Sequence, residues 1–170
     1  MRNRSVLTIV SIFLLCKTAP AQFSTKRMAA NTVYLEAFGM GGYGSINYER
    51  LVLRHKNLHV GVRLGAGTYR LRDFETHINP DITVPFAVNA YYGKTHHIEL
   101  GVGQTFTSIV KASPVDFKVM RDNSFSSNIN IGYRYQKHSK GMMFRMNYNP
   151  IMSTNSVFKH WYGVSIGYAF

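Results

Sequence analysis

The chain has 170 residues, of which 45% are apolar and 16% charged, and its formal net charge is +12. This length suits one domain, and the apolar content excludes a disordered chain. Nucleic acid is the usual partner of so basic a chain. An exported protein seldom meets nucleic acid, however, and the N-terminal residues indicate export.

The first 21 residues read as a secretory signal peptide. Arg2 and Arg4 precede an apolar run that ends at Cys16, and a motif of small residues closes at Ala21. The run is too short to cross a bilayer as a helix. We expect cleavage after Ala21, which places the mature protein outside the cytoplasm.

Cleavage would also remove the only cysteine, Cys16, and with it any disulfide or thiolate chemistry. A lipoprotein acceptor role for Cys16 is disfavoured, because Leu15 stands where such signals carry a small residue. Residues 22–32 are polar and aperiodic, and we interpret them as a short leader. The domain proper is expected over 33–170.

Apolar and polar residues alternate almost throughout 33–170. Ile129 and Ile131, for example, alternate with Asn128 and Asn130. This period is typical of strands with one wet face and one apolar face, and most segments have the length that a tilted strand needs to cross a bilayer. The predicted fold is an all-β, eight-stranded antiparallel up-and-down transmembrane β-barrel. Its strands are expected at 33–39, 43–53, 58–69, 82–92, 96–107, 125–136, 142–149 and 161–170.

The connections alternate between short and long, as in outer-membrane barrels with an even number of strands. Only residues 40–42 are short where a long loop is due. The short connections are 54–57, 93–95 and 137–141, and the long ones are 70–81, 108–124 and 150–160.

An eight-stranded barrel could instead be soluble, with its apolar face inward as in lipocalins. The order of residues along each strand favours a membrane. Aliphatic residues such as Val102 and Ile166 lie in mid-strand, and aromatic residues such as Tyr92 and Tyr162 lie near strand ends. An aliphatic band between two aromatic girdles is typical of a lipid-facing surface.

The C-terminus resembles the insertion signal of Gram-negative outer-membrane proteins, with apolar residues alternating up to a final aromatic residue. Gly132-Tyr133-Arg134-Tyr135 and Phe144-Arg145 are similar to segments of small, mostly uncharacterised outer-membrane barrels of Bacteroidota. The resemblance implies the bacterial outer membrane as location, insertion by the barrel-assembly machinery, and lipid and lipopolysaccharide as partners. We expect a monomer. The residues of the signal are Val164, Ile166, Tyr168 and Phe170.

Six ionisable residues lie at strand positions of the inward parity, that is, the alternate positions whose side chains should face the barrel interior, and are expected in the lumen. A turn centred on Lys56 would place Glu49 opposite Arg63, an attractive pair. A turn centred between 139 and 140 would set Arg134 opposite Arg145, so a carboxylate must lie near them, with Glu99 first and Glu36 second as candidates. The set is Glu36, Glu49, Arg63, Glu99, Arg134 and Arg145.

These charges predict a structural plug, because eight strands leave no open channel. A narrow gated pore is the alternative. A lipid-modifying enzyme is a further one, but lipid A deacylases of this architecture use a His two residues before a Ser, and no His-x-Ser triplet occurs here. Residues 126–128 are similar only to the tail of that motif. We therefore expect no catalytic site and no enzyme.

No cofactor or metal site is predicted. His96 and His97 are adjacent on a strand and would point to opposite faces. The long-loop carboxylates could share a divalent cation with lipopolysaccharide phosphates, or could simply be solvated. The short turns are basic, which fits contact with anionic headgroups or ordinary solubility. The loop acids are Asp73, Glu75, Asp81, Asp116 and Asp122.

Overall fold

The computed structural model describes residues 28–73, 77–112, 119–153 and 156–170. No helix within these ranges is long and apolar enough to cross a membrane. The predicted signal peptide, with Cys16, lies outside the described residues. The strands are β1 Asn31–Ala37, β2 Gly44–His55, β3 Leu58–Thr68, β4 Ile82–Gly93, β5 His96–Ala112, β6 Val119–Gln136, β7 Gly141–Tyr148, β8 Ile151–Ser153, β9 Ser156–Lys159 and β10 Tyr162–Ala169.

Eight of these strands, β1 to β7 and β10, form a closed barrel. Each pairs antiparallel with the next, β7 pairs with β10, and β10 returns to pair with β1. Closure leaves neither edge of the sheet open, which removes the usual liability of an edge strand. The predicted fold class, an all-β antiparallel barrel of eight strands, is confirmed.

The barrel has two unlike ends. Turns at 56–57, 94–95 and 137–140 join strands at the short-turn end, where β1 also begins. The β3–β4, β5–β6 and β7–β10 connections lie at the opposite, long-loop end. The predicted asymmetry of the connections is therefore observed.

Two predicted long loops prove to be partly strand. The connection predicted at 108–124 is mostly a hairpin, since β5 continues to Ala112 and β6 begins at Val119. The connection predicted at 150–160 holds β8 and β9, and β8 pairs with β6 beyond the end of β7. These ribbons lie beyond the barrel, where alternation is weak because there is no continuous apolar surface to cover.

The β2–β3 hairpin differs in detail from its prediction. The turn is a two-residue connection, since His55 pairs with Leu58, rather than one centred on Lys56. A β-bulge between Leu51 and Leu53 adds one residue to β2 and restores the expected register above it. Glu49 consequently lies opposite Arg63, as expected.

The last part of the predicted leader belongs to the barrel. β1 begins at Asn31, and the Ala30 carbonyl accepts a hydrogen bond of 2.8 Å from the Leu51 amide. Met28 packs with Leu51 and Tyr91 in a small buried apolar cluster. The segment just before β1 thus helps to close the short-turn end.

Candidate functional site

Six ionisable side chains meet inside the barrel, and we call them the lumen network. At most 2% of any of them is exposed, although buried ions require partners. Three carboxylates face three guanidinium groups, so the formal charge of the network is zero. Its members are Glu36 on β1, Glu49 on β2, Arg63 on β3, Glu99 on β5, Arg134 on β6 and Arg145 on β7.

Glu99 joins the two arginines that face each other on neighbouring strands. Arg134 and Arg145 are directly paired in the β6–β7 register. Glu99 Oε1 lies 3.2 Å from Arg145 Nη1, and its Oε2 lies 3.6 Å from Arg134 Nη1. The carboxylate thereby offsets a like-charge contact that would otherwise be unfavourable.

Glu36 extends the network in the other direction. Its Oε1 lies 2.7 Å from Arg145 Nη2, and its Oε2 forms an ion pair with Arg63. Glu49 Oε1 lies 2.5 Å from Arg134 Nη1. The ion pairs therefore form one unbranched chain in the order Arg63, Glu36, Arg145, Glu99, Arg134 and Glu49.

Amide side chains add hydrogen bonds to four of the six charged groups. Asn47 Oδ1 accepts from Arg63 Nε at 3.1 Å, and Asn89 donates to Glu49 at 3.0 Å. Asn130 donates to Glu99 at 2.7 Å, and Gln136 Oε1 accepts from Arg134 Nε at 2.8 Å. Such additional hydrogen bonds are what allow a buried ion pair to offset its cost of desolvation.

Two buried tyrosine rings lie against the guanidinium groups. The Arg145 guanidinium lies 4.6 Å from the centre of the Tyr34 ring, and that of Arg134 lies 4.4 Å from the centre of the Tyr91 ring. A cation over an aromatic face is attracted by the ring quadrupole, more strongly where water is excluded. The rings thus add to the stabilisation that the carboxylates give these two arginines.

The β1–β2 turn folds into the barrel from the long-loop end. Met40, at its tip, is 2% exposed. Its carbonyl accepts a 3.0 Å hydrogen bond from Thr105 on β5, and the Gly41 carbonyl accepts one of 2.6 Å from Thr83 on β4. Neither strand neighbours β1 or β2, so the turn crosses the interior. The turn fits because Gly103 has no side chain. A Cβ at this position would lie 2.6 Å from Met40 Cε.

A cluster of rings occupies the other end of the interior. The His59 ring stacks on Tyr91 at a centroid distance of 5.6 Å, and His97 meets both rings edge-on. His96 instead points outward to the Tyr133 hydroxyl at 2.5 Å, so the two adjacent histidines lie on opposite faces as expected. Among the described residues no group of His, Cys, Asp and Glu is arranged to hold a metal ion.

The network differs from its sequence prediction in one pairing. Glu49 and Arg63 are opposite in register, but Arg63 pairs with Glu36 and Glu49 pairs with Arg134. The predicted Glu49–Arg63 ion pair was therefore wrong. The cause is reach, because long side chains inside a narrow barrel meet partners across the interior as well as on the adjacent strand.

Sequence reasoning missed Met40, the buried tyrosines and the supporting amides. The amides could have been found, because Asn47, Asn89 and Asn130 share the inward parity of the charged residues. Tyr34 carries the same signal, two residues before Glu36. Met40 carries none, since a glycine-rich turn gives no sign of the direction in which it folds.

The other predicted residues are placed as follows. The insertion-signal side chains all face outward and are 44–54% exposed: Val164, Ile166, Tyr168 and Phe170.

The described acids of the predicted long loops have partners within the protein. Asp81 is buried and accepts a 2.9 Å hydrogen bond from the Val110 amide, and Asp122 lies 2.5 Å from Lys111. Asp73 accepts from the His77 amide at 2.9 Å. Glu75 and Asp116 lie outside the described residues.

No known family model matches the chain, and no curated protein sequence matches it. A solved structure does, the N-terminal β-barrel domain of Pseudomonas aeruginosa OprF. The TM-score is 0.56 with 8% identity, over 82% of this chain and 95% of that domain. The likeness is one of fold. It agrees with the closed eight-stranded architecture described above.

Proposed function

We propose that this chain is an integral outer-membrane β-barrel with a side-chain-filled lumen and a structural or surface-interaction role. The observation that carries the proposal is the inverted distribution of polarity. Among the described residues, 23 buried side chains are polar or charged and nine are apolar. A soluble lipocalin-like barrel would show the opposite, because its apolar face packs inward.

The outward face supports a lipid environment. Large aliphatic side chains in mid-strand are open to the surroundings, with Leu35 at 61%, Leu100 at 58% and Val102 at 62% exposure. Outward tyrosines such as Tyr92 and Tyr162 lie near the strand ends. An exposed apolar band of this extent is unfavourable in water and favourable in a bilayer. The fold shared with a β-barrel domain of OprF is consistent with this location.

The route to the membrane belongs to the same proposal. The outward C-terminal side chains fit a segment read by the barrel-assembly machinery, and a cleaved signal peptide would deliver the chain to it. Lipopolysaccharide is the proposed partner at the long-loop end, where exposed cations such as Arg70 and Lys111 lie. We expect protein from the outer-membrane fraction to show heat-modifiable gel mobility. An unshifted band in the soluble fraction would overturn the proposal.

A closed interior is preferred to a gated pore. The three arginines of the lumen network have no exposed surface, so bulk solvent does not contact them. In Glu49→Ala, Arg134 would keep only the longer of its two ion pairs, the one with Glu99. We expect this variant to unfold at a lower temperature and to leave conductance in planar bilayers at baseline. A large increase in conductance would favour a gated pore instead.

A non-enzymatic role is proposed as well. The residues that partly resemble a deacylase motif lack its base, since Phe125 stands two residues before the outward Ser127, and Asn128 donates a hydrogen bond to Thr105 inside the barrel. Deletion of the gene should leave the mass profile of lipid A unchanged. A shift by the mass of one acyl chain would instead assign a lipid-modifying activity.

A further inference from the structure

The short-turn end of the barrel is uniformly basic. Its three turns and the strand ends next to them present exposed cations, and among the described residues none of these cations forms an ion pair with a carboxylate. The exposed cations are Arg50, Arg54, Lys56, Lys94, Lys137 and Lys140.

The described carboxylate side chains all lie elsewhere. Three belong to the lumen network, which is formally neutral and buried. The other three, Asp73, Asp81 and Asp122, lie at the long-loop end. No described acidic side chain therefore weakens the positive potential of the short-turn end, whereas cations and anions are mixed at the long-loop end.

These cations begin where the outward aromatic residues end. Lys94 follows the outward Tyr92 by two residues, and Lys137 follows Tyr135 by two. Two strand residues span about 7 Å. Since outward tyrosines mark the headgroup depth of a bilayer, the ammonium groups lie at the level of lipid phosphates rather than far out in the aqueous compartment.

We propose that the short-turn end binds the phosphate groups of anionic phospholipids in the leaflet that it faces. The inference rests on the proposed membrane location. The partner is chosen by charge complementarity and by depth: cations at this level meet phosphates before they meet a soluble protein or polymer. Lysines on short turns act there as point charges, so the expected preference is for anionic over zwitterionic lipid without further headgroup selectivity.

The test measures lipid association with the full chain refolded in vesicles. Spin-labelled phosphatidylglycerol and phosphatidylcholine are added in turn, and the motionally restricted fraction of each is measured by electron paramagnetic resonance. We expect at least a twofold preference for phosphatidylglycerol in the wild type, falling towards one at 0.5 M salt because the contact is electrostatic.

Two triple variants locate the preference. Lys94→Gln with Lys137→Gln and Lys140→Gln should reduce it towards one. The matched control at the long-loop end, Arg70→Gln with Arg72→Gln and Lys111→Gln, should retain most of it. The inference is overturned if the first variant keeps the wild-type preference, or if the control alone loses it.

Heat-modifiable mobility in pure phosphatidylcholine vesicles separates this inference from the proposal on which it rests. A barrel that folds there but shows no lipid preference refutes the lipid site alone. The basic end would then be assigned to an acidic soluble partner. A chain that inserts in neither lipid refutes the membrane proposal first.

Discussion

Glu99→Gln is the most informative perturbation of the lumen network. The amide is nearly isosteric with the carboxylate and can still accept the hydrogen bond from Asn130, which is 2.7 Å long in the wild type. The substitution therefore removes charge with little change in packing. Three arginines would then face two glutamates, and the buried network would carry a formal charge of +1.

The magnitude follows from the contacts that Glu99 makes. The variant loses the ion pairs that Glu99 forms at 3.2 Å with Arg145 and at 3.6 Å with Arg134, although each arginine keeps a second carboxylate partner. Removing one partner of a buried ion pair costs about 3–5 kcal/mol, and the surviving partners place the cost near the lower end, at about 3 kcal/mol. With a urea dependence of about 1–3 kcal/mol per molar, the midpoint should fall by roughly 1–3 M.

Equilibrium unfolding in phospholipid vesicles, followed by heat-modifiable mobility and by the fluorescence of Trp161, measures this shift. The matched control is Glu99→Gln combined with Arg145→Met. It leaves two neutral pairs, Arg63 with Glu36 and Arg134 with Glu49, and should recover much of the lost stability. A shift below about 0.5 kcal/mol for the single variant would mean that water screens the interior, and would refute the reasoning.

Two further substitutions test the outward face and the inserted turn. Leu100→Arg, on the outward face in mid-strand, should lower the free energy of unfolding by about 2–4 kcal/mol in vesicles. Leu71→Arg, on the exposed long-loop side, is the control and should change it little. Equal losses of stability in the two variants would contradict a lipid-facing band. Gly103→Val should displace the inserted turn, because the Cβ of the new side chain would lie 2.6 Å from Met40 Cε and would also contact the backbone carbonyl of Phe86. Faster peroxide oxidation of Met40, followed by mass spectrometry, is the expected result, and unchanged protection would show that the turn adapts.

The fold was predictable because a closed barrel with a polar inner face and an apolar outer face imposes a period of two on each of its strands. The β4–β5 pairing illustrates this, since Val88 and Val102 face outward together and Asn89 faces Gly101 inside. Beyond the barrel the rule lapses. Ile109 pairs with Asp122 on one face of that ribbon and Val110 with Arg121 on the other, so neither face is uniformly apolar and the sequence pattern predicts a loop there.

The sequence predicts which residues belong to the lumen network, but it does not predict which of them form ion pairs with each other. Parity alone places Glu36, Glu49 and Arg134 in the interior. Which carboxylate reaches which arginine depends on strand tilt and stagger around the closed barrel, and neither is written in a local pattern. The contact between Arg134 and Glu49 joins residues 85 positions apart in sequence, on strands that are not neighbours.

The order of charges along the chain has a consequence for assembly. Strands β1 to β5 contribute three carboxylates and one guanidinium group to the network, an excess of two negative charges, whereas β6 and β7 contribute two positive charges. Neither part can lose its hydration alone without leaving ions uncompensated in a low dielectric. Drying of the interior is thereby tied to the meeting of the two parts and to closure of the β1–β10 seam. In a chain that stops before that step, the charged inner face would remain hydrated, and a half-barrel would not be a stable intermediate.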